Sequence, residues 1–164
     1  MNTVDNIIFV LTLVAALGSG LMAGVFFAFS TSVIKALGRL APAEGMAAMQ
    51  SINIVIVNPL FLLIFLGTAG VCLSVAVLAL IRWDRGTAFL LVGAALYLIG
   101  SILVTAVFNV PMNNVLAAAT PTDAKSAELW ASYLSDWTFW NHIRTVASVA
   151  STAAFTIGLV YIAK

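Results

Sequence analysis

The groups able to do chemistry are concentrated in two short stretches. One is Trp137-Thr138-Phe139-Trp140-Asn141-His142-Ile143-Arg144, which offers indole, amide, imidazole and guanidinium donors side by side. The other is Phe108-Asn109-Val110-Pro111-Met112-Asn113-Asn114, where amides flank a proline. Asn, Trp and Arg donors suit the stabilisation of an oxyanion. His142, the single histidine, is the natural general base. What is missing narrows the field as much. One His and one Cys (Cys72) cannot supply a protein-held zinc, copper or di-iron site, nor the paired thiols of disulfide chemistry. Asp5, Glu44, Asp84, Asp123, Glu128 and Asp136 lie between or at the ends of apolar stretches, so the embedded carboxylate of a proton-coupled transporter is lacking. The sequence calls for no metal and no cofactor.

Helical spacing orders these residues. Tyr97, Ser101, Thr105, Asn109 and Asn113 recur at every fourth position, one stripe down a helix that survives Pro111. Trp137, Trp140, Asn141 and Arg144 share a face, continued one turn deeper by Ser148. His142 falls more than about 90° from the centre of that face at roughly 100° per residue, which counts against it as the base unless the helix is distorted.

The elements that hold these stripes are membrane spans. Of 164 residues, 63% are hydrophobic and 8% charged, against roughly 45–50% and about 25% in soluble domains. So few charges cannot cover a soluble surface. The sequence predicts an all-α, membrane-spanning four-helix up-down bundle, a single integral membrane domain over residues 1–164. The spans are expected at about 7–37, 58–81, 87–110 and 136–162. The first apolar run has no basic leader and is too long for a signal peptide. Asn58-Pro59 opens the second span as N-cap and first-turn proline. Pro111 should stop or kink the third, and Asp136 should cap the fourth. The connections 38–57 and 111–135 carry the helix-start signals Pro42-Ala43-Glu44 and Thr120-Pro121-Thr122-Asp123, and both are expected to be short interfacial helices. Trp83, Trp130, Trp137 and Trp140 fall near span ends, as interfacial anchors do.

Partners follow from the same features. The bilayer is the first. A net charge of +1 without a basic stripe excludes nucleic acid. Gly20 with Gly24, and Gly67 with Gly70, read as close helix packing, and the small-residue face of the first span permits a homo-oligomer without requiring one. Arg82 and Arg85 in a short turn argue for cytoplasmic termini, although Lys35, Arg39, Lys125 and Arg144 at the other face outnumber Arg82, Arg85 and Lys164.

Antiparallel spans bring the end of the first, the start of the second, the end of the third and the start of the fourth to one face. Ser30, Thr31, Ser32, Lys35, Asn53, Asn58 and both chemical stretches meet there, while the opposite face has a terse turn and two tails. Polar groups inside a bundle turn to a cavity or to each other. The stripes of the third and fourth spans are expected to face one another across a pocket with aromatic walls, including Phe26, Phe27, Phe29 and Phe108, with the two connections as lids. A plainer reading of the same residues is packing. Amides and hydroxyls bond neighbouring helices, Arg144 snorkels, and the indoles only anchor.

Four segments carry a family resemblance: Ala23-Gly24-Val25-Phe26-Phe27-Ala28-Phe29-Ser30; Met49-Gln50-Ser51-Ile52-Asn53 with Asn58-Pro59; Phe108-Asn109-Val110-Pro111-Met112-Asn113; and Trp137-Thr138-Phe139-Trp140-Asn141-His142-Ile143-Arg144-Thr145. In kind and order they resemble the anthrone-oxygenase-like family of small four-helix membrane proteins. The resemblance implies a cofactor-independent oxygenase acting on a hydrophobic, enolisable aromatic, as in the conversion of anthrones to anthraquinones. Under it, His142, or a water held by Asn109 and Asn113, takes the proton. Arg144, Asn141 and Trp140 hold the oxyanion. Phe29, Phe108 and Trp137 stack on the rings, with Ser30 and Asn58 completing the substrate site. The rival from another class is a non-catalytic membrane protein that binds a lipid or quinone-like ligand or supports a partner complex.

Overall fold

The computed structural model describes residues 3–123 and 125–162, all helix and connecting turn, with no strand among them. Lys164, counted above in the charge balance, lies outside the described residues. Five helices carry the fold: α1 (Thr3–Leu37), α2 (Pro42–Val55), α3 (Pro59–Ile81), α4 (Thr87–Ala118) and α5 (Ser126–Ile162). All but α2 are long and apolar enough to cross a bilayer. Their outward faces carry Leu63, Leu73, Val77, Val146 and Val149, all exposed, as lipid contact requires.

Two spans differ from expectation. α4 does not end at Pro111 but continues to Ala118. It does so by running as π-helix over Leu98–Leu103 and Thr105–Asn109. The Val110 N–H bonds back to Thr105 O, five residues away. This widened turn re-spaces the backbone just before the proline, whose ring and missing N–H would otherwise break an α-helical ladder. α5 starts at Ser126 rather than Asp136, so the expected second interfacial helix is absent as a separate element. Residues 127–136 hold no Gly or Pro, and Trp130, Tyr133 and Trp137 form a continuous buried edge. At 1.5 Å per residue α5 is about 55 Å long, well beyond the ~30 Å hydrocarbon core.

Two cores result. Within the spans, Phe26, Phe65, Cys72, Val75, Leu90, Tyr97 and Phe155 pack together. Beyond one end, α2 sets Met46 and Met49 against Leu37, Leu116, Trp130, Tyr133 and Trp137. Trp130 and Trp137 are therefore buried core residues, and of the expected anchors Trp83 alone is strongly exposed. Polar contacts set the register of neighbouring helices: Ser19 with Ser151, Ser101 with Ser148, and Tyr97 Oη donating to Phe65 O at 3.0 Å. Such bonds average only about 0.6 kcal/mol in a membrane, so they align helices rather than drive their association. Of the expected packing glycines Gly20 alone faces another helix, where a Cβ would stand 3.7 Å from Thr152, and the closest approaches use other glycines. A Cβ at Gly93 would meet the Phe155 ring at 3.0 Å, and one at Gly18 would collide with Thr68. Gly24 and Gly70 have nothing within 4 Å, and Gly67 meets only Leu63 of its own helix. At the far end Asp5 pairs with Arg82 at 2.8 Å.

Candidate functional site

α5 organises the site. Trp137, Asn141, Arg144 and Ser148 lie on its buried face at helical spacing. Asn141 is fully buried, and its Nδ2 donates to Phe26 O at 2.8 Å and to Ser30 Oγ at 2.7 Å. Ser30 in turn meets Thr145 Oγ1 at 3.1 Å. Phe26 lies just ahead of a π-turn at Phe29–Val33, and a carbonyl has a second lone pair for such a donor.

Arg144 is 6% exposed. Its Nη2 donates to Asn141 Oδ1 at 2.7 Å and its Nη1 to Thr105 Oγ1 at 3.2 Å. The guanidinium carbon stands 4.4 Å from the centre of the Phe26 ring and 5.1 Å from that of Trp137. Its buried Nε has no hydrogen-bond partner. Among the described residues no carboxylate pairs with it; the ion pair found there is Arg82–Asp5. Two neutral acceptors and two ring faces leave its charge uncompensated.

α4 faces this arrangement with its stripe of polar residues. Asn113 Oδ1 accepts from Tyr133 Oη at 2.8 Å and from Trp137 Nε1 at 2.9 Å, which fixes the indole. Tyr133 is stacked between Trp130 and Trp137. Asn109 donates weakly to Trp137 O at 3.4 Å, and its Oδ1 is left without a partner.

Between α1, α2, α3, α4 and α5 lies a cavity of ≈ 190 Å³. Its walls are mostly apolar, with Phe26, Phe29, Phe65 and Trp137 as the aromatic lining. Its polar groups are Asn53, Thr105, Asn113, Asn141 and Arg144. Gln50 Nε2 ties α2 over the cavity by donating to Leu116 O at 2.7 Å and Ala119 O at 2.9 Å.

Of the residues singled out in the sequence, Phe26, Phe29, Asn53, Thr105, Asn113, Trp137, Asn141 and Arg144 line this cavity. Ser30 and Asn109 stand behind it, bonded to Asn141 and to the Trp137 carbonyl. The others lie elsewhere. Phe108 and Trp140 stack at 3.4 Å on an outer groove shared with Asp136 and Phe139. Trp140 sits at the edge of the α5 stripe, about 60° from Trp137, and faces the groove between α4 and α5. Asn58 is exposed and caps α3, accepting from Phe61 N–H at 3.0 Å. His142 is exposed in a different groove with Lys35 and Arg39, on the side of α5 that its spacing indicates.

Two residues were given no chemical role from the sequence, although Asn53 was placed at this face. Asn53 brings a buried Nδ2 with no hydrogen-bond partner to the cavity wall. It continues the Met46, Met49 face of α2 by one turn, a signal present in the spacing. Tyr133 became legible only once α5 was continuous, four residues before Trp137.

The family model described as anthrone oxygenase matches residues 61–154, more than half of the chain. That segment contains Phe65, Thr105, Asn109, Asn113, Trp137, Asn141 and Arg144, which is most of the polar cluster, while Phe26 and Asn53 come from outside it. No curated protein and no solved structure matches the chain. By the extent of that match, which runs through three of the four apolar helices, α3, α4 and α5, the chain belongs to the anthrone-oxygenase family.

Proposed function

We propose that the chain is a single-domain, four-helix up-down bundle in the bilayer, and that its cavity binds a hydrophobic, enolisable aromatic as the oxyanion and supports its oxidation by O₂ without a cofactor. α2 would lie at the membrane interface as a lid, and the end bearing Arg82 and Arg85 would face the cytoplasm. One observation carries the reading: Arg144 is a buried guanidinium at an apolar cavity, held only by neutral groups and lacking a carboxylate partner among the described residues. A buried charge left so is costly. A ligand oxyanion removes that cost, and Asn53 Nδ2 is available as a second donor.

The chemistry needs little else. Arg144 favours the enolate over its neutral form. Water takes the first CH₂ proton, the enolate gives an electron to O₂, the two radicals join carbon to oxygen, and the resulting peroxide anion takes a proton back from that water as the hydroperoxide. Loss of the remaining C–H proton with cleavage of the O–O bond yields the ketone, so one CH₂ and one O₂ become one C=O and one H₂O. Phe29 and Trp137 contact each other at 5.7 Å between ring centres and are tilted by 55°, so they offer a ring system one aromatic wall rather than two flanks. At ≈ 190 Å³ the cavity is below the roughly 300 Å³ lower end of drug-sized sites, so a fused tricycle requires outward movement of α2.

The cavity wall has neither imidazole nor carboxylate among its described residues, which favours a second reading, retention of an anionic or quinone-like ligand without turnover. Oxygen uptake and anthraquinone absorbance of the purified protein with anthrone, against detergent alone, separate the two. Acceleration that disappears in Arg144→Met supports the oxygenase. Binding without acceleration supports the second reading, and neither binding nor acceleration leaves the polar cluster to packing.

A further inference from the structure

A second groove lies about a quarter-turn around α5 from the cavity. α1 lines it with Thr31 and Lys35, the turn that follows with Arg39, and α5 with Leu134, Thr138 and His142. We propose that this groove binds the phosphate of an anionic phospholipid, with Lys35 and Arg39 on the phosphate oxygens and His142 donating to the glycerol-ester region beneath.

Charge is the first argument. Lys35, Arg39 and His142 are exposed, and among the described residues none of their side chains bonds to or pairs with another protein group. No Asp or Glu lines the groove. At the other end of the molecule Arg82 is answered by Asp5. The Thr31 and Thr138 hydroxyls are turned to their own helices, donating to Phe27 O and Leu134 O, so each keeps an acceptor and neither satisfies the cations.

Depth is the second argument. The Asn141 bonds to Phe26 O and Ser30 Oγ level the start of the α5 polar segment with that turn of α1. At the far end Gly86 packs against Tyr161 and Gly158. From Gly158 to His142 is about 24 Å along α5 at 1.5 Å per residue. A ~30 Å hydrocarbon core that begins near Gly158 thus ends about one turn above His142. Lys35 stands roughly 7 Å above Ser30 along α1, at that boundary, with Arg39 just beyond. The cations are therefore at headgroup level and the imidazole a turn below. Ile34 and Leu134 give the groove an apolar floor, which suits the start of an acyl chain and gives a free phosphate ion nothing. Basic grooves between helices at this depth are where anionic headgroups are held.

The test uses the full chain in nanodiscs of equal phosphatidylglycerol and phosphatidylcholine, followed by native mass spectrometry of the released protein. Two cations at the surface predict a roughly thirtyfold preference for retained phosphatidylglycerol. Lys35→Gln/Arg39→Gln should abolish the preference, and Lys125→Gln should leave it intact. The exchange Lys35→Arg/Arg39→Lys should keep it, and this decides the matter if the neutral pair fails to fold. Equal retention of both lipids, a preference that survives the neutral pair, or loss in the exchanged pair overturns the proposal. So does full displacement of the lipid by inorganic phosphate, which would make the groove a site for the free ion.

Discussion

Asn141 and Arg144, one turn apart on α5, are joined by a 2.7 Å bond from the guanidinium Nη2 to the amide Oδ1, while the amide Nδ2 of Asn141 reaches across to α1. Asn141 thus turns an acceptor to the cation and a donor to the neighbouring helix. No carboxylate in that place would do both, since it has no N–H to give. Asn141→Asp should therefore pair with Arg144 while losing the bond to Phe26 O, with the Ser30 hydroxyl turned to donate to the carboxylate. The expected outcome is a stably folded protein with ligand affinity lowered at least about tenfold, because the cation is already answered. Isothermal titration with an anthrone enolate analogue measures it.

Arg144→Met separates a ligand-binding cation from a structural one. Replacing an uncompensated buried charge by an apolar chain of similar length should leave the melting temperature unchanged or raise it, since buried ionic groups are often neutral or stabilising to lose in this way. Ligand binding should fall by about a hundredfold, in line with the loss of a charge-assisted bond of up to ~3 kcal/mol. A melting temperature lowered by many degrees would identify Arg144 as a packing residue.

Asn113→Ala should do the reverse. It strips the acceptor from both Tyr133 Oη and Trp137 Nε1. Two donors left unsatisfied cost about 1–3 kcal/mol each. The melt should shift down, and the Trp137 fluorescence should change as its indole loses its anchor. Asn113→Asp keeps an acceptor in place and should restore much of the stability.

Gln50→Ala releases α2 from Leu116 O and Ala119 O without touching the cavity. Ligand association should accelerate several-fold if α2 is the lid, with little change in the spectrum of the folded protein. Stopped-flow quenching of tryptophan fluorescence reads the rate.

His142→Gln should alter turnover by less than about twofold, because the imidazole lies in the outer groove with Lys35 and Arg39 rather than at the cavity. A loss of a hundredfold or more would return His142 to the role of base and require α5 to rotate in the working state.

The amino-acid sequence by itself determined the number of spans, the polarity of one end and the residue types of the site. Charge scarcity and run length decide the spans, since a bilayer tolerates little else. The α5 stripe of Trp137, Asn141, Arg144 and Ser148 was equally legible, because a regular helix maps spacing onto a face. The α4 stripe was legible for a reason that spacing alone does not contain. From Tyr97 to Asn113 a regular α-helix drifts by about 160°, which would set the two ends nearly opposite. The π-turns at Leu98–Leu103 and Thr105–Asn109 absorb that drift, so that Tyr97 reaches Phe65 and Asn113 reaches Trp137. Only the tertiary structure decided this, because widened turns have no simple residue signature and form where packing holds them. It also decided that Trp130 and Trp137 are core, that Asn53 joins the cavity and that Trp140, Phe108 and Asn58 do not. Which way a side chain at the edge of a stripe turns depends on the neighbouring helix, and that helix is distant in the chain.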